Sequence, residues 1–183
     1  MTAFGLSASA GLNAYIPLLI VGVVSHYTDW IKLNPPFDLL GNPWILILVS
    51  VLLIIEMLAD KIPAVNHIND IIQTVIRPAA GAIVFAASAQ TITDINPLLA
   101  LGCGIIIGGS VHVVKSAAVR PAITATTGGT ANVPVSIAED LIATITSILA
   151  IVFPILVVVF VVLVLVLFLL WLNRRLQKNR NSV

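Results

Sequence analysis

Between Leu141 and Leu172 the chain carries no charged residue, and this one run rules out a water-soluble fold. As a helix rising about 1.5 Å per residue, the run would reach roughly 45 Å, more than the hydrocarbon core of about 30 Å. Shorter apolar runs recur upstream. Lipid offers backbone groups no partner, so such runs must be helices. Candidate spans cover about 3–24, 43–59, 78–93 and 97–118, with a fifth inside 141–172. Composition agrees: 59% of the 183 residues are hydrophobic and 9% are charged, where soluble domains average about 25% charged. Mean hydropathy is +1.11. The expected fold is all-α: one polytopic membrane domain over 1–183, with about five transmembrane helices.

Six crossings are the alternative. The segment 173–183 holds Arg174, Arg175, Lys178 and Arg180, which places it in the cytoplasm by the positive-inside rule. Five crossings then leave Lys61, Arg77, Lys115 and Arg120 on the outer side. Either these four are structural parts of the membrane domain, or a sixth crossing returns them to the cytoplasmic side. Pro154 predicts a kink or tilt in the last run, which is read as one helix. The opening "MTAFGLSASAGLNAY" lacks a basic region, so the first run is expected to stay as a span.

The stretch "ADKIPAVNHINDIIQTVIRPAAG" (59–81) concentrates charge between two apolar runs. Asn66, Asp70, Gln73 or Thr74, and Arg77 recur at helical spacing on one face. The expectation is a short amphipathic helix that begins after Pro63 and stops at Arg77. The residue before a proline disfavours helix, and Pro78 suits the first turn of the next helix. This broken-helix connector is expected to fold against or into the membrane domain. Glu56 and Asp60 sit one turn apart at the end of the second span. A charge at mid-membrane costs about 2.5–3.5 kcal/mol, so Glu56 needs a partner, a proton or a wet cavity. Lys61, Arg77, Lys115 and Arg120 are the candidate partners.

The second half carries a looser version of the same set. His112, Lys115 and Arg120 precede a proline, and "RPAITA" echoes "RPAAGA". This suggests a weak internal repeat, 1–94 and 95–172, of the kind transporters build sites between. "TATTGGTAN" reads as a connector, with an anion nest or an ion path as rival readings. It lacks the ending of a phosphate loop. Ser136 and Glu139 fit a capping box at the start of the last helix, with Glu139 and Asp140 in its first turn. Asn13, with Pro17 one turn later, suggests a break in the first span that faces the charges. Gly102, Gly104, Gly108 and Gly109 allow close helix contact or homo-oligomer packing. The segment 26–44, with Tyr27, Trp30 and Trp44, reads as an interfacial loop.

Other chemistry is sparse. Net charge is +1, which argues against nucleic acid as a partner; membrane lipids are expected instead. Cys103 reads as a buried, unreactive thiol. His26, His67 and His112 form no helical metal motif, and no nucleophile–base pair is visible. No cofactor, metal or enzymatic activity is expected.

"GLNAYIP" (11–17), "EMLADKIPAVNHIND" (56–70), "RPAAGA" (77–82), "HVVKSAAVRP" (112–121) and "SIAED" (136–140) resemble a small bacterial membrane family, domain of unknown function 4126. The resemblance implies a multi-pass protein of the bacterial inner membrane and supplies no activity. The family tends to have Asp where this chain has Asn66, so position 66 need not be charged.

The residues support two functions. In the first, a carrier or flippase for a small anionic or lipid-like substrate, the candidates Asn13, Glu56, Asp60, Lys61, Asn66, Asp70, Arg77, His112, Lys115, Arg120, Glu139 and Asp140 surround an intramembrane site. In the second, a membrane scaffold or assembly subunit, the same charges form an internal network.

Overall fold

The computed structural model describes residues 1–89 and 95–153, together with 159, 162–164 and 166; the side chains of 63–67 lie outside this description. Among the described residues all regular structure is helical: α1 (Thr2–Leu12), α2 (Tyr15–Tyr27), α3 (Pro43–Ala59), α4 (Pro63–Ala89), α5 (Pro97–Val114), α6 (Arg120–Thr127) and α7 (Asn132–Val152). A π-helical turn, Lys115–Val119, joins α5 to α6. Three segments are long and apolar enough to cross a membrane: Ile68–Ala89, Pro97–Thr127 and Asn132–Val152. The chain is a helical membrane protein.

The first span carries the break that Asn13 and Pro17 suggest. It is broken at Asn13, whose backbone is extended (φ −144°, ψ 123°). The 11 residues of α1 and the 13 of α2 are each too short to cross alone, at about 16 Å and about 20 Å. α3 begins by a familiar device: the Asn42 side chain accepts the Trp44 N–H at 2.9 Å, with Pro43 in the first turn. Asn96 and Pro97 open α5 in the same way.

The expected stop at Arg77 does not occur. α4 runs unbroken from Pro63 to Ala89 with Pro78 inside it. An internal proline costs about 3 kcal/mol, and close packing around it offsets that cost. Pro78 lies against Gly109, and a Cβ on Gly81 would stand 2.8 Å from the Gly104 carbonyl oxygen. The expected polar face holds at Gln73 and Arg77 and differs upstream, where Asn69 rather than Asp70 is buried. Asn69, Gln73 and Arg77 point inward, while Ile68, Ile71, Ile72 and Val75 are exposed. The segment is amphipathic with its polar side in and its apolar side out, as a lipid-facing helix requires.

The fourth span extends past its expected end near residue 118. The π turn accommodates Arg120-Pro121, with the Arg120 N–H bonded to the Lys115 carbonyl, and the helix continues to Thr127. Gly128 (φ 62°) and Gly129 (φ 88°) then make the left-handed turn into α7. That helix starts at Asn132, so Ser136 and Glu139 lie within it and form no capping box. It ends at Val152, with Phe153 out of helical geometry before Pro154. The run 141–172 is therefore not one uninterrupted helix; most of 154–172 lies outside the described residues.

The apolar core gathers Leu6, Ala10, Ala14, Leu18, Val21, Val49, Ala80, Val84 and Ala150. Cys103, expected to be buried, is exposed. The inner face of α5 is set by Ala100, Gly104, Gly108 and His112 at four-residue intervals, and Cys103 falls outside that stripe.

Candidate functional site

The charged side chains that the sequence scatters along the chain converge on one buried centre. Asp60, at the end of α3, is its hub. Its Oδ1 accepts from Asn69 Nδ2 at 2.7 Å. Its Oδ2 lies 3.2 Å from Arg120, 3.6 Å from Lys115 and 3.6 Å from Arg77. Glu139 Oε2 meets Lys115 Nζ at 2.9 Å and Arg120 at 3.0 Å. Asp140 accepts from Lys61 at 3.1 Å through Oδ2 and from Asn13 at 2.9 Å through Oδ1. Glu56 Oε1 receives two N–H groups of Arg77, at 3.0 and 3.3 Å. Arg77 and Glu56 are fully buried, and only Lys61 among these residues is appreciably exposed, at 27%.

Local helix geometry explains the convergence. Glu56 and Asp60 are one turn apart on the inward face at the end of α3. Asn69, Gln73 and Arg77 make a one-turn ladder along α4. Lys115 and Arg120 are five apart, and the π turn between them brings both onto one side. π turns of this sort are common at functional sites. Glu139 and Asp140 are adjacent on α7 and reach opposite ends of the centre.

The break between α1 and α2 opens directly onto the centre. At the end of α1 the freed Leu12 carbonyl accepts from Lys115 Nζ at 3.0 Å. At the start of α2 the Asn13 side chain accepts the N–H groups of Tyr15 and Ile16, at 3.1 and 3.2 Å. The Ala14 N–H points to Glu56 Oε1 at 3.5 Å. A helix C-terminus carries partial negative charge and an N-terminus partial positive charge. A base faces the first and an acid faces the second.

His112 links the centre to the surface. Its Nδ1 lies 3.3 Å from Arg77, whose guanidinium can only donate. Its Nε2 lies 3.2 Å from Thr74 Oγ1, and that hydroxyl donates to the Asp70 carbonyl at 2.9 Å. The partners fit the neutral ring with its proton on Nε2. Thr74 is exposed, so one polar chain runs from Arg77 to the edge of α4.

Ten of the twelve expected residues thus meet: Asn13, Glu56, Asp60, Lys61, Arg77, His112, Lys115, Arg120, Glu139 and Asp140. Asp70 joins by its electrostatic interaction with Arg120. The Asn66 side chain lies outside the described residues. Asn69 went unrecognised; its signal was the four-residue repeat Asn69, Gln73, Arg77. Gln73 and Ser136 are buried there too, and Gln73 Oε1 and Ser136 Oγ have no hydrogen-bond partner. Among the described residues no group of His, Cys, Asp or Glu is set to hold a metal ion.

Residues 1–174 match the family described as domain of unknown function (DUF4126). The chain belongs to this family. The match spans every residue of the centre, so the buried network lies wholly within the family's domain. No curated protein and no solved structure matches the chain.

Proposed function

We propose that this protein is a membrane carrier whose site is the centre between the α1–α2 break and the π turn. One observation carries the reading: the two half-helix ends at Leu12 and Ala14 each face a buried ionisable group, the base Lys115 and the acid Glu56. Unwound backbone beside ionisable groups at mid-span is the way secondary transporters build their sites. The cargo class that suits it is a small anion or a lipid headgroup. Lys115 and Arg120 both lean on Glu139 Oε2, and an anion competing for these two bases would loosen α7 from the π turn. The excess of Lys and Arg in 173–183 supports a cytoplasmic C-terminus and a bacterial inner-membrane location.

A second reading, a membrane scaffold, draws support from the closure of the same network. Glu56, Asp60, Glu139 and Asp140 pair with Lys61, Arg77, Lys115 and Arg120, all but Lys61 buried. Solid-supported-membrane electrophysiology separates the two. Proteoliposomes would be given jumps in pH, phosphate, short-chain carboxylates and glycerophosphate. A carrier gives a transient current for at least one jump, and Lys115→Gln removes it. A folded wild-type protein silent to every jump sinks the carrier and leaves the scaffold.

A further inference from the structure

We infer that Glu56 is a neutral acid that holds one exchangeable proton on Oε2, which makes it the proton-bearing residue of the centre. The role as a coupling site rests on the carrier reading; the protonation itself does not. Two independent observations point to it.

The first is the hydrogen bonding of Glu56. Arg77 gives two N–H groups to Oε1, at 3.0 and 3.3 Å, and the Ala14 N–H also points to Oε1. Oε2 is buried and has no partner. A carboxylate facing a guanidinium characteristically takes the fork with both oxygens. Here one oxygen behaves as a carbonyl and the other is left bare, as in a carboxylic acid. An anionic oxygen buried without a donor costs far more than a neutral hydroxyl in the same place. The remaining acids differ. Both oxygens of Asp60 are engaged, by Asn69 on one side and three bases on the other. Both oxygens of Asp140 are engaged as well. Glu139 takes both of its bases on Oε2 but is not among the acids with a buried bare oxygen, and Asp70, which is, is partly exposed.

The second observation is the charge balance. Asp70 interacts with Arg120, and its Oδ1 is buried without a partner. With Asp70 counted, the acids Glu56, Asp60, Asp70, Glu139 and Asp140 outnumber the bases Lys61, Arg77, Lys115 and Arg120 by one. A single proton restores neutrality. Bare buried oxygens stand on Glu56 and Asp70; Asp70 is partly exposed and Glu56 is fully buried, so the proton fits Glu56, where an unpaired charge costs most. The groups facing Glu56 from the packed elements are Arg77 on α4, Asp60 at the end of α3, Lys115 on the π turn and Tyr15 on α2.

Infrared spectroscopy of the full-length protein in lipid at neutral pH tests this. The carbonyl stretch of a protonated carboxyl is resolved from carboxylate bands. Wild type should show it, and Glu56→Gln should lose it while keeping the wild-type melting temperature to within a few degrees, because glutamine mimics the neutral acid. Carboxyl-13C glutamate labelling serves if Glu56→Gln does not fold: it shifts the band of a protonated glutamate and leaves in place a band that belongs to Asp70. No band in wild type, a band unchanged in Glu56→Gln, or a band that the label does not shift overturns the assignment. The band needs no gradient and no cargo. A protein with the band but no transport current would therefore refute carriage alone, and a current without the band would refute this assignment alone.

Discussion

The two halves of α4 are held to α5 by opposite means. Beyond Pro78 the contact is made by small residues. Gly81 and Gly104 bring their backbones together, and Ser7 clips both carbonyls from α1, at 3.2 and 3.0 Å. Before Pro78 the contact is polar: Thr74 and Arg77 meet His112. Lipid is as apolar as leucine, so close backbone approach is the economical way to join helices in a membrane. The small-residue half already does this. The polar half adds the desolvation of ionised side chains, which is several kcal/mol per ion before pairing. It also leaves buried acceptors on Glu56, Asp70 and Gln73 unmatched. A fold that only needed α4 and α5 joined could have continued the glycine seam. The polar half is therefore the part of the seam that the proposed carrier function would explain.

The sharpest way to break this comparison is Arg77→Glu. Arg77 is fully buried between Glu56, Asp60 and His112. Removing one partner from a buried pair costs about 3–5 kcal/mol, and here an acid is added beside two others. The expected result is loss of folded protein in mild detergent, measured by size-exclusion profile and thermal unfolding. A folded variant with an unchanged melting temperature would show that the centre does not hold the helices together. Next in size is Gly104→Ala. Its Cβ would stand 2.5 Å from the Ala82 Cα, so backbone must move, and overpacking costs about 1–3 kcal/mol. Melting should fall while the polar half stays intact. If Gly104→Ala also abolished a Glu56 infrared band, the two halves would be mechanically one unit.

The sequence made the membrane class, the break at Asn13 and most members of the centre legible, because each rests on a local cost. A charge in lipid needs a partner, and Glu56, Arg77 and Lys115 each sit in runs otherwise apolar. The continuity of α4 was not legible. Arg77-Pro78 looks like a boundary in sequence, and only the glycines of α5, far along the chain, make the proline tolerable. Asn69 was missed for a related reason. Two polar registers compete along 66–77, and the neighbour that selects one is Asp60, on a different helix. The start of α7 was misplaced because the Thr-Gly-rich connector is short, and nine polar and apolar residues before Leu141 already belong to the helix.

Finer tests separate contacts that look alike. Ser7→Ala removes a hydroxyl shared by the Gly81 and Gly104 carbonyls. Both carbonyls already accept helix hydrogen bonds, so the expected loss is about 1 kcal/mol, read as a small fall in melting temperature. A loss as large as that of Gly104→Ala would mean that Ser7, rather than backbone proximity, fixes the seam. Gly102→Ala should have the smallest effect of all. Gly102 is two residues from Gly104 on the same helix, yet a Cβ there meets nothing within 4 Å. Alanine is favoured over glycine inside a helix by up to about 1 kcal/mol, so melting should hold steady or rise. A fall comparable to that of Gly104→Ala would place a second chain against the outer face of α5, where Cys103 and Ile106 are exposed. Crosslinking through Cys103 would then be expected to trap a dimer. A neutral result would leave that face to lipid and the small-residue seam as an internal device of one chain.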